Sequence, residues 1–240
     1  MADGNARKST SRGQVTAVVS ILGRQIASKK FPEGSTLPVE QTLADQLGVG
    51  RNALREAVKV LSGKGLIRTA PRSGTKVRPR HDWNMLDPDV LQWHADPESA
   101  DVQFMLDITE MRHIIEPQAA QLAAERASRD DVAKILALFD DMEASDTDSA
   151  MRMEADIAFH AAILEATHNI VLANFKHAIS TYLRAHSHVV TEDQQLARDD
   201  LDRHRALAWA IASGDGSKAR KLTESMLQIN RDLMRSRVSS

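Results

Sequence analysis

In Glu154-Ala-Asp-Ile-Ala-Phe-His160 an aspartate and a histidine stand four residues apart. On a helix that spacing sets a carboxylate and an imidazole one above the other. Asp156 and His160 are thereby aligned as two ligands for one cation, and Phe159 and Ile163 give the same stretch apolar surface with which to face a helical interior. Taken alone, such a pair more often serves as a surface ion pair. The other residue with binding chemistry to offer is Arg112, which lies between Glu110 and Glu116. Its guanidinium can take a carboxylate through two parallel hydrogen bonds. The residues alone favour a structural salt bridge with Glu116 or another acid.

A different chemistry is written near the start of the chain. Within Thr36–Ala57, Val39, Leu43 and Leu47 share one helical face with Ala44 beside them, and Gly48 stops that helix. After the turn, Leu54, Val58 and Leu61 fall on the inner face of a second helix. Arg51, Asn52 and Arg55 cluster at its N-terminal end and outer side. That is a helix-turn-helix pattern, whose second helix can bring its opening residues to base edges in a major groove.

The charge distribution agrees. Residues 1–80 carry 15 Lys+Arg against 5 Asp+Glu, a net +10, whereas residues 81–240 carry 16 against 28, a net −12. The overall −2 therefore hides a basic head on an acidic body, and all 9 histidines lie in the body. A basic head of this kind suits a polyanion, because each cation that neutralises a phosphate releases condensed counterions.

The elements that must position these residues follow from the patterning. Residues 1–13 are polar and are expected to form a flexible arm. Val15, Val18, Ile21, Leu22 and Ile26 make an amphipathic helix over Gln14–Ser28, broken by Phe31-Pro-Glu-Gly34. After the helix-turn-helix, Leu66–Thr69 and Thr75–Arg78 read as strands of a hairpin with Arg72, Ser73 and Gly74 at its tip. This completes a DNA-binding domain over 14–80. Residues 81–100 are expected to be a linker and a short helix that packs its two tryptophans, Trp83 and Trp93. From residue 101 to 237 the pattern is helical throughout, with segments near 102–126, 129–143, 147–167, 170–190, 194–213 and 215–235. The expected fold class is mainly α: a winged helix-turn-helix followed by an all-α bundle of six or seven helices.

Several stretches resemble the winged-helix domain of the GntR family of transcriptional regulators: Phe31-Pro-Glu-Gly34, Leu37-Pro38, Glu40, Leu43-Ala44, Val49, Arg51, Leu54-Arg55-Glu56-Ala57, Gly65-Leu66-Ile67 and Gly74-Thr75-Lys76-Val77. The second half is similar to FCD, the all-helical effector domain of the FadR subfamily, through Arg112-His-Ile-Ile-Glu-Pro117, Ala119–Ala124, Asp156 with His160, and His204 ahead of Leu207, Ala210-Ile211 and Gly214-Asp215.

The resemblance implies a homodimer on a palindromic operator of double-stranded DNA. The implied DNA contacts are Gln41, Arg51, Asn52, Ala53 and Arg55, with Arg72, Ser73 and Gly74 from the wing. The family commonly has Ser or Thr where Gly50 stands, so a capping or phosphate-contacting hydroxyl is missing here. In many FCD domains one Asp and three His hold a divalent metal, zinc being the expected ion. Asp156, His160 and His204 match three of those positions, and Met226 stands where the fourth histidine is expected. A thioether is a soft, weak ligand for zinc, which leaves either a three-ligand site with open positions or a site whose residues bond the effector directly. The resemblance also makes Arg112 a ligand for an effector carboxylate, with Asp156, His160, Arg184, His204 and Asn230 around it. Within the subfamily, Trp83-Asn84, Leu86-Asp87, Asp89–Trp93, His168-Asn169 and Val171-Leu172 are similar to a regulator of sugar-acid catabolism. The implied effector is an aldonate such as galactonate.

The competing class is an enzyme, a metal-dependent hydrolase or lyase built on Asp156, His160 and His204. It lacks an evident general base, since Glu154 is two residues from Asp156 and points away, and it leaves the basic head without a role. The expectation is thus a regulator and no enzyme. The chain has no cysteine, which excludes disulfides and thiolate metal sites, and no run of about 20 uncharged apolar residues. A soluble cytoplasmic protein with no membrane partner is expected.

Overall fold

The computed structural model describes residues 3–96, 101–145, 148–186 and 194–238, and the chain divides into two compact units, Met1–Asp101 and Val102–Ser240.

The first unit begins with α1 (Asp3–Ala27), followed by α2 (Glu40–Leu47), α3 (Arg51–Gly63), strands β1 (Ile67–Ala70) and β2 (Gly74–Val77), and α4 (Pro88–Ala95). The expected flexible arm is helical from Asp3 onward: with no proline to interrupt it, the polar stretch continues the register of Gln14–Ala27. Gly48 ends α2 in the left-handed conformation at φ 64°, where its N–H turns back to the carbonyls of Ala44 and Asp45. That turn lets α3 cross α2, and Leu43, Leu54, Ala57 and Leu61 close on Val18, Leu22 and Ile26 of α1.

The two strands pair antiparallel with Ala70 opposite Gly74 and Ile67 opposite Val77, leaving Pro71-Arg72-Ser73 as the hairpin loop. Each strand is displaced by one residue from the sequence expectation, because positive φ at Arg72 (64°) and Gly74 (72°) sets the turn. The segment before α2 joins the hairpin, since the Leu37 N–H donates to the Thr75 carbonyl at 2.8 Å.

Both tryptophans of the connecting stretch belong to this unit and are buried in its core. A Cβ built on Gly23 would lie 2.5 Å from three atoms of the Trp93 ring, so the absence of a side chain there is what lets α4 rest on α1. The Trp83 indole N–H donates to the Arg78 carbonyl at 3.0 Å. Lys64, just past α3, reaches Asp87 at 2.6 Å and Asp89 at 2.8 Å, at the N-terminus of α4.

The second unit contains α5 (Val102–Arg126), α6 (Arg129–Ala144), α7 (Ser149–Ala166), α8 (Ile170–Ala173), α9 (Lys176–His186), α10 (Gln194–Ala212) and α11 (Gly216–Val238). Their starts follow local chemistry. Ser128 and Asp131 form a reciprocal capping box before α6, and the Asp148 side chain caps α7. The single helix expected over 170–190 is divided: the chain turns at Asn174-Phe175, where the Asn174 amide donates back to the Ile170 carbonyl at 2.7 Å. Positions 187–190 of that expected helix lie outside the described residues. Phe139, Met142, Phe159, Ile163, Leu207, Ile211 and Met226 form the core.

Two outcomes are expected for the first unit. Replacing Gly23 by Ala adds about 1 kcal/mol of helix propensity but forces an overpacking that costs about 1–3 kcal/mol. The contact with the Trp93 ring favours the second effect, so thermal melts followed by tryptophan fluorescence show a net loss, larger for Gly23→Val. His94 is buried beside Arg80, Lys29 and Asp101, and burial together with the Arg80 charge lowers its pKa to about 4 despite Asp101 at 3.0 Å. The unfolded chain, at about 6.5, therefore binds the proton first as pH falls. Stability is full above about pH 6.5 and drops by up to about 3 kcal/mol on the way to pH 4. Denaturant titrations at pH 7 and pH 5 give a smaller difference for His94→Gln than for the parent chain.

Candidate functional site

Helices α7 and α10 bring Asp156, His160 and His204 together, with their ligand atoms all within 4.8 Å of one another. Asp156 Oδ1 lies 3.3 Å from His160 Nε2 and 3.2 Å from His204 Nε2. Two atoms bonded to one cation at about 2.1 Å sit about 3.0–3.4 Å apart, so these separations are those of ligands sharing an ion. Asp156 Oδ1 and His204 Nε2 are buried without a hydrogen bond of good geometry. A cation between them satisfies both atoms, and on this observation the three residues fit one.

The rest of each imidazole is held. His204 Nδ1 lies 2.8 Å from the Asp200 carbonyl oxygen, which can only accept, so the Nδ1–H donates and Nε2 is left toward Asp156. On the far side of His160, Nδ1 is 3.3 Å from Glu116 Oε2. Phe159 packs edge-on against both rings, at 5.8 Å and 5.5 Å between centroids.

Glu116 in turn is ion-paired with Arg112 one helical turn before it, through the guanidinium edge that carries Nε and Nη2, and Arg112 lies 4.3 Å over the ring of Tyr182. Arg112 and Glu116 are only 2% and 4% exposed. The structural salt bridge that the residues alone favour is thus present. Removing one partner of such a buried pair costs about 3–5 kcal/mol, because the other charge stays desolvated.

The electrostatics follow from this packing. Burial opposes the charge on Glu116, but Arg112 and His160 outweigh it and lower its pKa to about 2. Burial opposes the charge on His160 too, and the carboxylates of Asp156 and Glu116 overcome it, raising the imidazole to about 10. Asp156 is held well below the usual carboxylate range against its burial, by His160 and His204. His204 is raised despite burial, chiefly by Asp200. Without a cation the cluster keeps a proton on His160, and a metal ion would take that proton's place.

A cavity adjoins the cluster, with Glu116, His160 and Thr223 as its polar lining and alanine, leucine and isoleucine side chains around them. Met226 is buried and packs in the apolar core with Phe159 and Leu207. Of the expected effector contacts, His160 lines this cavity, Arg112, Asp156 and His204 adjoin it through the pairs described above, and two lie apart. Arg184, half exposed, crosses from α9 to pair with Glu154 on the outside of α7, and Asn230 is half-buried on α11 and absent from the cavity lining. Glu116 as a bridge and Asp200 as the orienting group were missed by sequence reasoning. The signal for Asp200 was present in its i, i+4 spacing to His204, the same as that of Asp156 to His160.

At the other end of the chain, Arg51, Asn52 and Arg55 are exposed on α3. Arg51 donates to the Gln41 side chain, Gln41 donates to Asp45 at 2.8 Å, and Arg55 pairs with Glu40 at 2.9 Å, so α2 holds both arginines in place. Ala53 departs from the expected DNA contact: at 7% exposure it faces inward with Leu54, because one residue beyond Asn52 the helix has turned its Cβ toward the core. Gly50 caps α3 without a side-chain bond, as its lack of a hydroxyl requires. Arg72, Ser73 and Gly74 are exposed at the wing tip.

Residues 14–77 match the family described as bacterial regulatory proteins, gntR family, and residues 107–228 match the FCD domain. The galactonate operon transcriptional repressor of Escherichia coli (strain K12) is 36% identical over 211 residues, covering 88% of this chain and 92% of that protein. The HTH-type transcriptional regulator YieP of the same organism is 33% identical over 209 residues, covering 86% and 89%. Among solved structures, a Listeria monocytogenes regulator that controls expression of the agr system superposes with a TM-score of 0.62 at 19% identity, over 92% of this chain and 96% of that one. That likeness is one of fold.

Protein purified without chelator is expected to retain about one divalent ion per chain, measured by elemental analysis, with His160→Ala and His204→Ala each losing most of it. An empty parent chain that also fails to take up added zinc rules the cation out.

Proposed function

We propose that this chain, which belongs to the GntR family of bacterial regulatory proteins and carries an FCD domain, represses an operon of sugar-acid catabolism and leaves its operator when an aldonate binds in the helical unit. That it is a DNA-binding transcription regulator and no enzyme follows from the family; the sugar acid, the zinc ion, the homodimer and the individual contacts are the proposal. One observation carries the effector class: a buried guanidinium, Arg112, already holds a carboxylate, that of Glu116, beside a cation-binding cluster. A ligand with one carboxylate and several hydroxyls complements that combination, and the galactonate operon repressor is a relative over most of both chains.

In this reading Asp156, His160 and His204 hold a zinc ion with positions left open. The ion, when bound, supplies a positive centre for hydroxyl or carboxylate oxygens. Arg112 orients the carboxylate end. Arg184 and Asn230 contribute nothing in the described arrangement. Two copies, held in register by their helical units, present Arg51, Asn52, Arg55 and the wing residues Arg72, Ser73 and Gly74 to the two halves of a palindrome, with Gln41 steering Arg51. Effector binding disturbs that register, and a coupling of about 1–3 kcal/mol suffices for a working switch.

A labelled-operator shift titrated with galactonate, other aldonates and unrelated fatty acids tests the reading. Galactonate or a close aldonate is expected to weaken operator binding about 5- to 150-fold, and a series in which no sugar acid changes the affinity overturns the effector class. Arg55→Ala, which also leaves Glu40 without its cation, is expected to weaken binding at one base position by about 1–3 kcal/mol, read by competition with single-base operator variants.

A further inference from the structure

Glu116 occupies an unusual position: its carboxylate is shared between two groups with different tasks. One side pairs with Arg112 on its own helix, and the other lies 3.3 Å from His160 Nδ1, whose opposite nitrogen is 3.3 Å from Asp156. Arg112, Glu116 and His160 are buried, so Glu116 divides its lone pairs chiefly between these two partners. A carboxylate on the far nitrogen of a metal-ligating histidine raises the ligand's basicity and fixes its ring. What Arg112 draws from Glu116, His160 loses.

We propose that Glu116 is a coupling residue that ties the state of Arg112 to the hold of Asp156, His160 and His204 on their cation. While Arg112 clasps Glu116, the carboxylate is partly withdrawn from His160. An incoming carboxylate that takes over Arg112 frees Glu116 to lean on the imidazole, and the cation binds more tightly. Linkage makes the effect reciprocal: a bound cation, by drawing Glu116 toward His160, loosens Arg112 for the incoming acid. Glu116 is then also an internal occupant of the carboxylate-binding position, and a ligand must outcompete it. The proposal rests on reading the Asp156/His160/His204 cluster as a cation site, and does not depend on which acid is the effector.

Tyr182 supplies a readout. It is the single tyrosine of the chain and lies 4.3 Å beneath the Arg112 guanidinium. Protein grown with 3-fluorotyrosine gives one fluorine resonance, which reports on Arg112. Zinc titrated into the full-length protein, with no organic ligand, is expected to shift that resonance in step with binding. In Glu116→Gln the shift disappears while zinc still binds, about 10-fold more weakly.

Because Glu116→Gln leaves a buried guanidinium without its partner, the neutral pair Arg112→Gln/Glu116→Gln and the charge-conserving Arg112→Lys are measured alongside it, each checked by thermal melting. Arg112→Lys, which grips Glu116 through a single point charge, is expected to bind zinc several-fold more tightly than the parent chain, in line with the 10- to 100-fold weight of such outer partners. Adding Arg112→Gln to Glu116→Gln is expected to change zinc affinity by less than about 2-fold, since the carrier of the effect is gone. A parent chain that binds zinc with no change at Tyr182, or a Glu116→Gln protein whose resonance still shifts in full, overturns the coupling and leaves the cation site standing. A parent chain that binds no zinc overturns both.

Discussion

Desolvation of charge is the constraint on which the second unit depends. Arg112, Glu116, His160 and His204 are buried and Asp156 faces them, and none of these charges could be taken from water alone. They are arranged as a chain of alternating sign, guanidinium to carboxylate to imidazole to carboxylate to imidazole, in which each member is held by the next. Burial alone would drive the acids up and the imidazoles down. In this arrangement the directions reverse, because in a low-dielectric interior the near neighbour outweighs the lost water. Such a chain is an expensive way to stabilise a helical bundle, since an apolar core of the same shape would serve as well or better. It stands beside a cavity, and the proposed function draws on it: a guanidinium paired with a carboxylate lies next to a cluster whose geometry fits a cation.

The first unit solves the opposite problem. Its arginines must stay in water and remain available to a polyanion, yet cannot wander without losing rotamer entropy at every encounter. Pairing Arg51 with Gln41 and Arg55 with Glu40 orders both side chains from the neighbouring helix while leaving them exposed. Exposed pairs of this kind add little stability, and their value lies in orientation. The apolar contribution comes from beneath, where Leu54, Ala57 and Leu61 lock α3 onto α1, and from Trp83 and Trp93, which bring the connecting stretch into the same core.

Much of this was legible in the residues. Gly48 marks a turn because a left-handed position is needed there, and Leu43, Leu54 and Leu61 repeat at helical spacing because they share a core. The Asp156 and His160 spacing announced a shared face. Less legible were features that depend on where an element stops or what faces it. The polar arm reads as disorder by composition yet is helical from Asp3, with no proline to interrupt it. The helix expected over 170–190 divides at Asn174-Phe175, where the Asn174 side chain bonds the Ile170 carbonyl, a local competition that periodicity does not register. Arg184 looked like a ligand-binding cation, but its partner Glu154 lies 30 residues away on another helix.

By itself the sequence determined the class of the two units, the basic reading head, the turn glycines and the residue types that could bind a cation and a carboxylate, because these depend on local periodicity and on net charge. Only the tertiary structure decided the use of each group. It turned Ala53 inward, took Arg184 and Asn230 away from the cluster, and brought His204 to Asp156 across 48 positions of chain. It also made one carboxylate, Glu116, the shared partner of Arg112 and His160. An i, i+4 pair is visible in one helix, whereas a third partner from another helix is fixed only when the bundle closes and water is excluded from between them.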